Sequence, residues 1–413
     1  MATLAFLVGA FHFLDRFHTY RTALAIKYTP TTFPHLTLED QAVLQSPRWQ
    51  WATAGDDAGR GPTQYSRQIL MNAQDGWARL GEGFEGETFR HGDNVVKVYR
   101  KGHAPFRNCL PGSAPDLRWP TEIAASLILG GLAERGGMPV DASFLPVMDY
   151  FLSPPSDYAE SKWHFVTPFL PNGNLPELSK RLRESGQHTA RELDMIFRPS
   201  LNGLFQALDM MHSKYDLCHD DIKPDNIFIG SRDGPHANET THWLLGDLGN
   251  VRERHHPYHT SLLWTGAAHK SNLADCRAND VFRLIKAYMQ FLRSSVRAVD
   301  AFDRELFEAR QPWSRLFWSV SDEVRRGGNP TAMATLEKSV TEVAATSEQV
   351  VDIGRPPSEL GNPLYRIFLG RAGILAMATK ELLGMRAGDN VARIWSLSAV
   401  LGVPYAPCHV GTE

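Results

Sequence analysis

The spacing of apolar residues changes near residue 170, and this change constrains the fold of the chain more than any other feature. Upstream of it, apolar runs of strand length alternate with glycines and turn residues. Downstream, as in RELDMIFRPSLNGLFQALDMMHSKY, apolar residues recur at steps of three and four, the period of an amphipathic helix. The sequence therefore predicts an α+β fold with a strand-rich first lobe and a helical second lobe.

The order of the apolar runs predicts the first lobe in more detail. In RLGEGFEGETFRHGDNVVKVYR, the HGDN between two apolar runs is typical of a β-hairpin. Pro120 suits the first turn of a helix that continues through TEIAASLILGGL. The runs LPVMDYFL and WHFVTPFL predict two further strands.

Composition limits the partners and the compartment of the chain. A formal net charge of −3 over 413 residues argues against attachment to nucleic acid, or to an anionic membrane, by bulk charge. The cysteines lie far apart without the spacing of a metal site, so we expect reduced thiols and a cytoplasmic location. They are Cys109, Cys218, Cys276 and Cys408.

Residues 1–75 form an N-terminal extension that is rich in turn residues and contains one apolar segment, LAFLVGAFHFL, at residues 4–14. The segment is too short to span a bilayer as a helix. No Lys or Arg precedes it, unlike a secretory signal. We expect a helix that packs on the rest of the protein; peripheral membrane attachment and a cleaved signal or anchor are the alternatives.

Gly81, Gly83 and Gly86 have the GxGxxG spacing. Because they lie between two strand-like runs and do not open a helix, they disfavour a dinucleotide-binding turn and favour a strand–loop–strand flap. Backbone amides in such a flap can approach phosphates where side chains would clash. A glycine-rich hairpin without a ligand is the alternative.

Lys97 lies inside the apolar run VVKVY, where an outward-facing side chain is the more common arrangement. The functional interpretation is a cation directed at phosphate oxygens. A lysine that faces inward needs a counter-ion, and Glu122 on the next predicted helix is the candidate. For Glu122 alone, a solvated helix face is the alternative.

Asp221, Lys223 and Asn226 lie at steps of two and three in CHDDIKPDNIFIG. An irregular loop can direct all three side chains into one small volume. A carboxylate can accept the proton of an attacking hydroxyl, a lysine can neutralise a moving phosphoryl group, and an amide oxygen can ligate Mg²⁺. A solvated turn is the alternative. Asp247, which leaves the apolar run WLL and precedes Leu-Gly, is placed to bind a hard cation or to start a tight turn.

In this order, the motifs resemble those of the eukaryotic protein kinase family, most specifically in HDDIKPDNIFI and GDLG. The resemblance covers residues 79–292. It implies a bilobal kinase-like fold with an N-terminal extension at residues 1–75, an N-lobe at residues 76–170 and a C-lobe at residues 171–413. It also implies a protein serine/threonine kinase that uses ATP and Mg²⁺.

The resemblance assigns a role to each motif residue. The three glycines would cover the ATP phosphates, and Lys97, fixed by Glu122, would hold the α- and β-phosphates. Thr167 would lie behind adenine, to which Phe169 and Leu170 would offer backbone groups. The catalytic assignments are Asp221 as base, Lys223 as γ-phosphate stabiliser, Asn226 and Asp247 as Mg²⁺ ligands, and Asp280 as support for the loop.

Two departures from the family pattern bear on regulation and substrate. Asp220 stands where regulated kinases carry an Arg that binds a phosphate on the activation segment. An acid there would repel that phosphate, so we predict activity without activation-segment phosphorylation. The family's Ala-Pro-Glu signature is replaced by TGAAHKSN, which supports a small-molecule kinase as the alternative to a protein kinase. A non-catalytic scaffold of the same fold is the other alternative.

Overall fold

The computed structural model describes residues 2–45, 63–83, 85–100, 107–108, 118–132, 143–153, 161–230, 242–265, 273–344, 355–385 and 389–404. The chain divides into two compact units. Unit 1 comprises Met1–Phe169, Leu248–Lys270 and Ala387–Glu413, and unit 2 comprises Leu170–Asp247 and Ser271–Arg386. The N-terminal extension therefore belongs to the same unit as the predicted strands.

Unit 1 contains a five-stranded antiparallel sheet with the order β1-β2-β3-β5-β4. Its strands are β1 (Ala78–Glu82), β2 (Gly86–His91), β3 (Asn94–Tyr99), β4 (Asp149–Leu152) and β5 (Trp163–Pro168). The predicted hairpin joins β2 to β3 through Gly92, whose φ of 58° suits glycine. Val96, Phe151 and Val166 form a buried cluster on the sheet.

The helices of unit 1 are α1 (Ala2–Lys27), α2 (Leu38–Gln45), α3 (Thr63–Asn72), α4 (Thr121–Leu129), α7 (Leu262–Thr265), α13 (Asp389–Trp395) and α14 (Ser398–Leu401). A short strand, β9 (Arg252–Glu253), also belongs to this unit. The packing expected for residues 4–14 is not seen at Phe6, Leu7 and Phe11, which are exposed, whereas Ala23 and Leu24 farther along α1 are buried. No helix within the described residues has the length and apolarity needed to cross a membrane.

Unit 2 is mostly helical, so the predicted mixture of a strand-rich part and a helical part is confirmed. Its helices are α5 (Leu175–Ser185), α6 (Ala190–Lys214), α8 (Cys276–Ser295), α9 (Val299–Glu308), α10 (Pro312–Arg325), α11 (Ala332–Ala344) and α12 (Pro363–Leu383). Its strands are β6 (Leu217–Cys218), β7 (Ile227–Gly230) and β8 (His242–Leu245), and β7 pairs with β8. A capping box at Thr189 starts α6, whose apolar stripe is buried.

Two expectations from the sequence are wrong. Cys218 and Cys276 form a disulfide, although reduced thiols were expected. Their sequence separation of 58 conceals that the end of β6 and the start of α8 adjoin. The apolar spacing of LYRIFLGRAGILAMATKELLGM predicts that helix α12 packs into the core, but Ile367 and Phe368 in its first half are exposed. The helix bends at Gly370 (φ 63°), and burial begins after the bend. Cys109 and Cys408 lie outside the described residues.

Candidate active site

The glycine motif forms the β1–β2 hairpin of unit 1. The N–H of Gly83 donates to the carbonyl oxygen of Gly86 (2.9 Å) and closes the turn. A Cβ at Gly86 would collide with the carbonyl oxygen of Val98 on β3, so the sheet itself requires this glycine. A Cβ at Gly81 would meet nothing within 4 Å, and one at Gly83 would meet only the Gly86 oxygen at 4.0 Å. Packing thus explains Gly86 and leaves the other two glycines without a structural reason.

Lys97 faces a carboxylate, as an inward-facing strand lysine requires. Its Nζ lies 2.5 Å from Oε2 of Glu122, in the first turn of α4, and 3.4 Å from Oε2 of Glu85. Glu122 is only 5% exposed, and the hydroxyl of Tyr99 donates to the same Oε2 (2.5 Å). A buried carboxylate with two donors is held in one orientation, so Lys97 and α4 are fixed to each other.

The three residues predicted to meet adenine lie at the end of β5 and just after it. Thr167 is buried and pairs with Val95 of β3. The N–H of Phe169 donates to the carbonyl oxygen of Asp93 (2.7 Å), and the carbonyl oxygen of Leu170 accepts from Gly173 (3.0 Å). The bond to Asp93 uses the only backbone donor of Phe169, which leaves its carbonyl as the group that residue 169 could offer a base.

A buried carboxylate on α8 holds the backbone of the loop that follows β6. Asp280, with no exposed surface, accepts the backbone N–H of His219 (2.7 Å) and of Asp220 (3.0 Å) and contacts His212 Nε2 (3.1 Å). These bonds hold Asp220 in the left-handed region (φ 64°), which is unusual for a residue other than glycine. Asp280 therefore supports the backbone of the loop, as the resemblance implies.

The carboxylate of Asp221 lies between two cations. Lys223 Nζ contacts its Oδ2 at 2.8 Å, and Arg283 Nη2 donates to its Oδ1 at 3.3 Å. Burial lowers the pKa of Lys223, but the carboxylates of Asp221, Asp247 and Asp225 outweigh it and raise the pKa above its usual value. Lys223 therefore stays protonated and can act as a fixed positive charge.

Asn226 and Asp247 present oxygen ligands near this loop. Asn226 Nδ2 donates to the carbonyl oxygen of Asp221 (2.9 Å), so its Oδ1 is the side-chain atom left for a cation among the described residues. The Asn226 carbonyl accepts the N–H of Gly246 (2.9 Å), and the Gly246 carbonyl contacts His219 Nε2 (3.2 Å). These bonds bring Gly246, the residue before Asp247, to the loop. Asp247 itself lies two residues after the end of β8 and has a φ of 55°. A carboxylate and an amide oxygen suit Mg²⁺.

Sequence reasoning missed two of the side chains that set this geometry, Arg283 and Tyr99. Arg283 also donates from Nε to the carbonyl oxygen of Ile222 (3.0 Å), so it holds both the backbone and the carboxylate of the loop. A charge three residues after Asp280, inside an otherwise apolar stretch of helix, was the available signal. Tyr99 gave no signal, because a tyrosine that ends a strand is ordinary.

No protein-family model matches the chain, and comparison with curated proteins gives no significant match. A functional assignment therefore depends on the motif residues and on their geometry in the two units.

Proposed function

We propose that this protein is an ATP- and Mg²⁺-dependent phosphotransferase that transfers the γ-phosphate of ATP to Ser or Thr hydroxyls of proteins. The observation that carries the proposal is the loop of residues 219–226, where Asp280 fixes the backbone and cations flank the Asp221 carboxylate. The Lys97–Glu122 pair of unit 1 supplies a second, independent feature of the same family pattern. Both features also fit the bilobal kinase-like fold that the sequence resembles.

In the proposed reaction, the Asp221 carboxylate accepts the proton of the acceptor hydroxyl. The hydroxyl oxygen forms a bond to the γ-phosphorus, while the bond from that phosphorus to the β–γ bridging oxygen breaks and ADP leaves with the electron pair. Lys223 stays charged and stabilises the negative charge on the transferred group. Lys97, held by Glu122, orients the remaining phosphates.

The donor set of unit 2 fits a magnesium ion. Asn226 offers Oδ1, and Asp247 offers its carboxylate from a backbone conformation that ends the strand. Bound there, Mg²⁺ would neutralise phosphate charge and orient the transferred group. Gly81 and Gly83, which packing does not require, leave the hairpin backbone open to phosphate oxygens.

The first experiment measures γ-phosphate transfer from ATP to a generic basic protein. Asp221→Asn and Lys97→Met should each lower the rate by about 10²–10⁴, the usual contribution of such groups. Asp225→Asn is the matched control, because this acid lies in the same loop but is exposed. It should stay within about twofold of the wild type. A wild type without Mg²⁺-dependent transfer, or a fully active Asp221→Asn, contradicts the proposal.

The acceptor is tested separately with a degenerate peptide array and a panel of metabolites and lipids. Phosphorylation of Ser or Thr peptides supports the protein kinase. Transfer only to a metabolite supports a small-molecule kinase of the same fold, the alternative that the missing Ala-Pro-Glu signature favours. Nucleotide binding by thermal shift without any transfer supports a scaffold.

A further inference from the structure

A second group of contacts lies in unit 1 and joins residues to which no role has been assigned so far. Residues 248–265, here called the post-Asp247 segment, directly follow Asp247 in the chain. Residues 27–32 of the N-terminal extension, here called the N-terminal clamp, lie against this segment. The clamp and the segment are separated by more than 200 residues in sequence.

Hydrogen bonds join the clamp to the segment, and each of them involves at least one side chain. Thr31 Oγ1 donates to the carbonyl oxygen of Val251 (3.3 Å). Both the N–H and the Oγ1 of Thr32 donate to Oε1 of Glu253 (2.8 and 2.9 Å). In the other direction, Arg252 Nη2 donates to the carbonyl oxygen of Lys27 (3.2 Å). The segment is thus bound at three consecutive residues.

A histidine and an aromatic ring extend the contact. The N–H of Tyr258 donates to Nδ1 of His256 (3.1 Å), so the ring proton lies on Nε2, which donates to the carbonyl oxygen of Thr29 (3.1 Å). The cationic groups of Lys27 and Arg252 lie 5.4 and 4.3 Å from the centroid of the Tyr258 ring. The clamp therefore reaches the segment from residue 251 to residue 258.

Two buried residues connect the clamp and the segment to helix α4. Arg107 Nη2 donates to the carbonyl oxygens of Gly249 (2.7 Å) and Val251 (3.1 Å), and its Nε donates to Thr121 Oγ1 (2.9 Å). Asn108 Nδ2 donates to the carbonyl oxygen of Thr31 (2.5 Å), and its Oδ1 accepts from the same Thr121 hydroxyl (2.7 Å). Thr121 directly precedes Glu122, the partner of Lys97.

We propose that the N-terminal clamp is a built-in positioning device, which holds the post-Asp247 segment in one conformation and replaces the phosphate that orders this segment in regulated kinases. Three observations support this proposal. The clamp binds the segment by hydrogen bonds, and Arg107 and Asn108 connect both to the helix that carries Glu122. In addition, an acid occupies position 220, where regulated kinases carry a phosphate-binding Arg. Buried polar groups such as Arg107 and Arg252 lose their partners if the segment moves, so the bonded arrangement is strongly favoured. This inference rests on the proposed function for its effect on activity.

The test uses the full chain with Thr31→Val and Thr32→Ala combined, which removes the two clamp hydroxyls that donate to the segment and keeps the fold of α1. We expect hydrogen exchange of residues 248–265 to accelerate at least tenfold, and kcat for phosphotransfer to fall at least tenfold. Thr37→Val is the matched control, since the Thr37 hydroxyl caps α2 by bonding Asp40 and touches no residue of the segment. It should change neither quantity. Glu253→Gln, which keeps the shape of the acceptor, should give an intermediate effect.

Hydrogen exchange separates the failure of this inference from the failure of the proposed function. A wild type without transfer refutes the function, whereas the exchange data still test the clamp. Unchanged exchange in the double variant overturns the clamp, and faster exchange with unchanged kcat overturns its role in activity. Loss of wild-type activity on phosphatase treatment overturns the replacement of a phosphate. If the double variant fails to fold, Glu253→Gln is compared with Thr37→Val by the same two measurements.

Discussion

Arg283 contacts both the carboxylate and the backbone of the loop that carries the proposed catalytic base, although no motif identified it. Its guanidinium bonds the carbonyl oxygen of Ile222 and the carboxylate of Asp221 at the same time. A planar group with fixed donors sets the angle between two acceptors, which a lysine cannot do. Lys223, on the other carboxylate oxygen, supplies charge from a flexible side chain. We therefore expect Arg283 to position the proposed base.

We expect Arg283→Met to lower kcat about tenfold, which corresponds to about 1.4 kcal/mol, while the KM for ATP stays within about twofold. The physical reason is that the carboxylate loses its fixed angle, whereas groups that bind ATP are unchanged. Arg283→Lys should recover only part of the rate. Steady-state kinetics with varied ATP measures both constants.

Arg277→Met is the control for this prediction. Arg277 lies on the same helix, pairs with Asp275 at 2.8 Å and makes no contact with Asp221 among the described residues. Its substitution should leave kcat unchanged. Equal losses of kcat in the two variants would mean that α8 was destabilised and that Arg283 has no particular role in orienting the base.

At the level of single elements, the sequence predicted what short-range physics determines. The β2–β3 hairpin was predictable because Gly92 and the flanking alternation act within a few residues. Helix α6 was predictable because its stripe and its capping box are local. The exposed first half of α12 was not, since an apolar sequence does not show whether another element covers it.

Helix α1 gives a prediction at this scale, because several apolar side chains in its first half are exposed. At 100° per residue, these side chains span about 200° of the helix circumference; they are Phe6, Leu7, Val8, Phe11 and Leu14. A wide apolar surface at the end of a helix suits insertion into the headgroup/acyl boundary of a membrane. Residues 6–14 extend about 13 Å, close to one leaflet of a hydrocarbon core about 30 Å thick. Arg16, which follows, suits the headgroup level.

We therefore expect the full chain to sediment with phosphatidylcholine vesicles, and Phe6→Glu combined with Phe11→Glu to abolish this binding. Ile367→Glu combined with Phe368→Glu is the control, because these residues of α12 are equally exposed. The control should bind as the wild type does. Absence of wild-type binding, or an equal loss in both double variants, rules out insertion of α1.

At the scale of the whole molecule, the sequence singled out the residues of the candidate site and, among their supports, Glu122 and Asp280, but not the other supports. Asp221, Lys223 and Asn226 share one short loop, so their spacing was informative. The clamp, the Cys218–Cys276 disulfide and the Arg283 contact join residues about 60 to more than 200 positions apart. Such contacts are determined by tertiary packing, and no local pattern encodes them.

Two buried histidines make the stability of the folded chain depend on pH. Burial lowers the pKa of His164 to about 4, although the hydrogen bond to the Lys162 carbonyl acts in the opposite direction and raises the pKa. Burial, followed by the charges of Arg252 and Arg107, lowers the pKa of His256 to about 2. In the unfolded chain the pKa of both histidines is about 6.5. Below that pH the unfolded chain binds protons that the folded chain excludes, so the stabilisation present above it is lost as the pH falls toward about 4 and 2, respectively.

As the pH falls from about 6 to 4.5, the protonation of each of these histidines in the unfolded chain should lower the free energy of unfolding by about 1.4 kcal/mol per pH unit. Urea denaturation followed by tryptophan fluorescence measures this slope. His164→Gln should reduce the slope by about one proton even if it also lowers stability at pH 7, because the stacked His164–Phe151 pair (4.8 Å) is lost at every pH. His12→Gln, at an exposed position of α1, should leave the slope unchanged. A slope that His164→Gln does not alter would show that His164 is protonated in the folded chain, and that its burial does not exclude the charge.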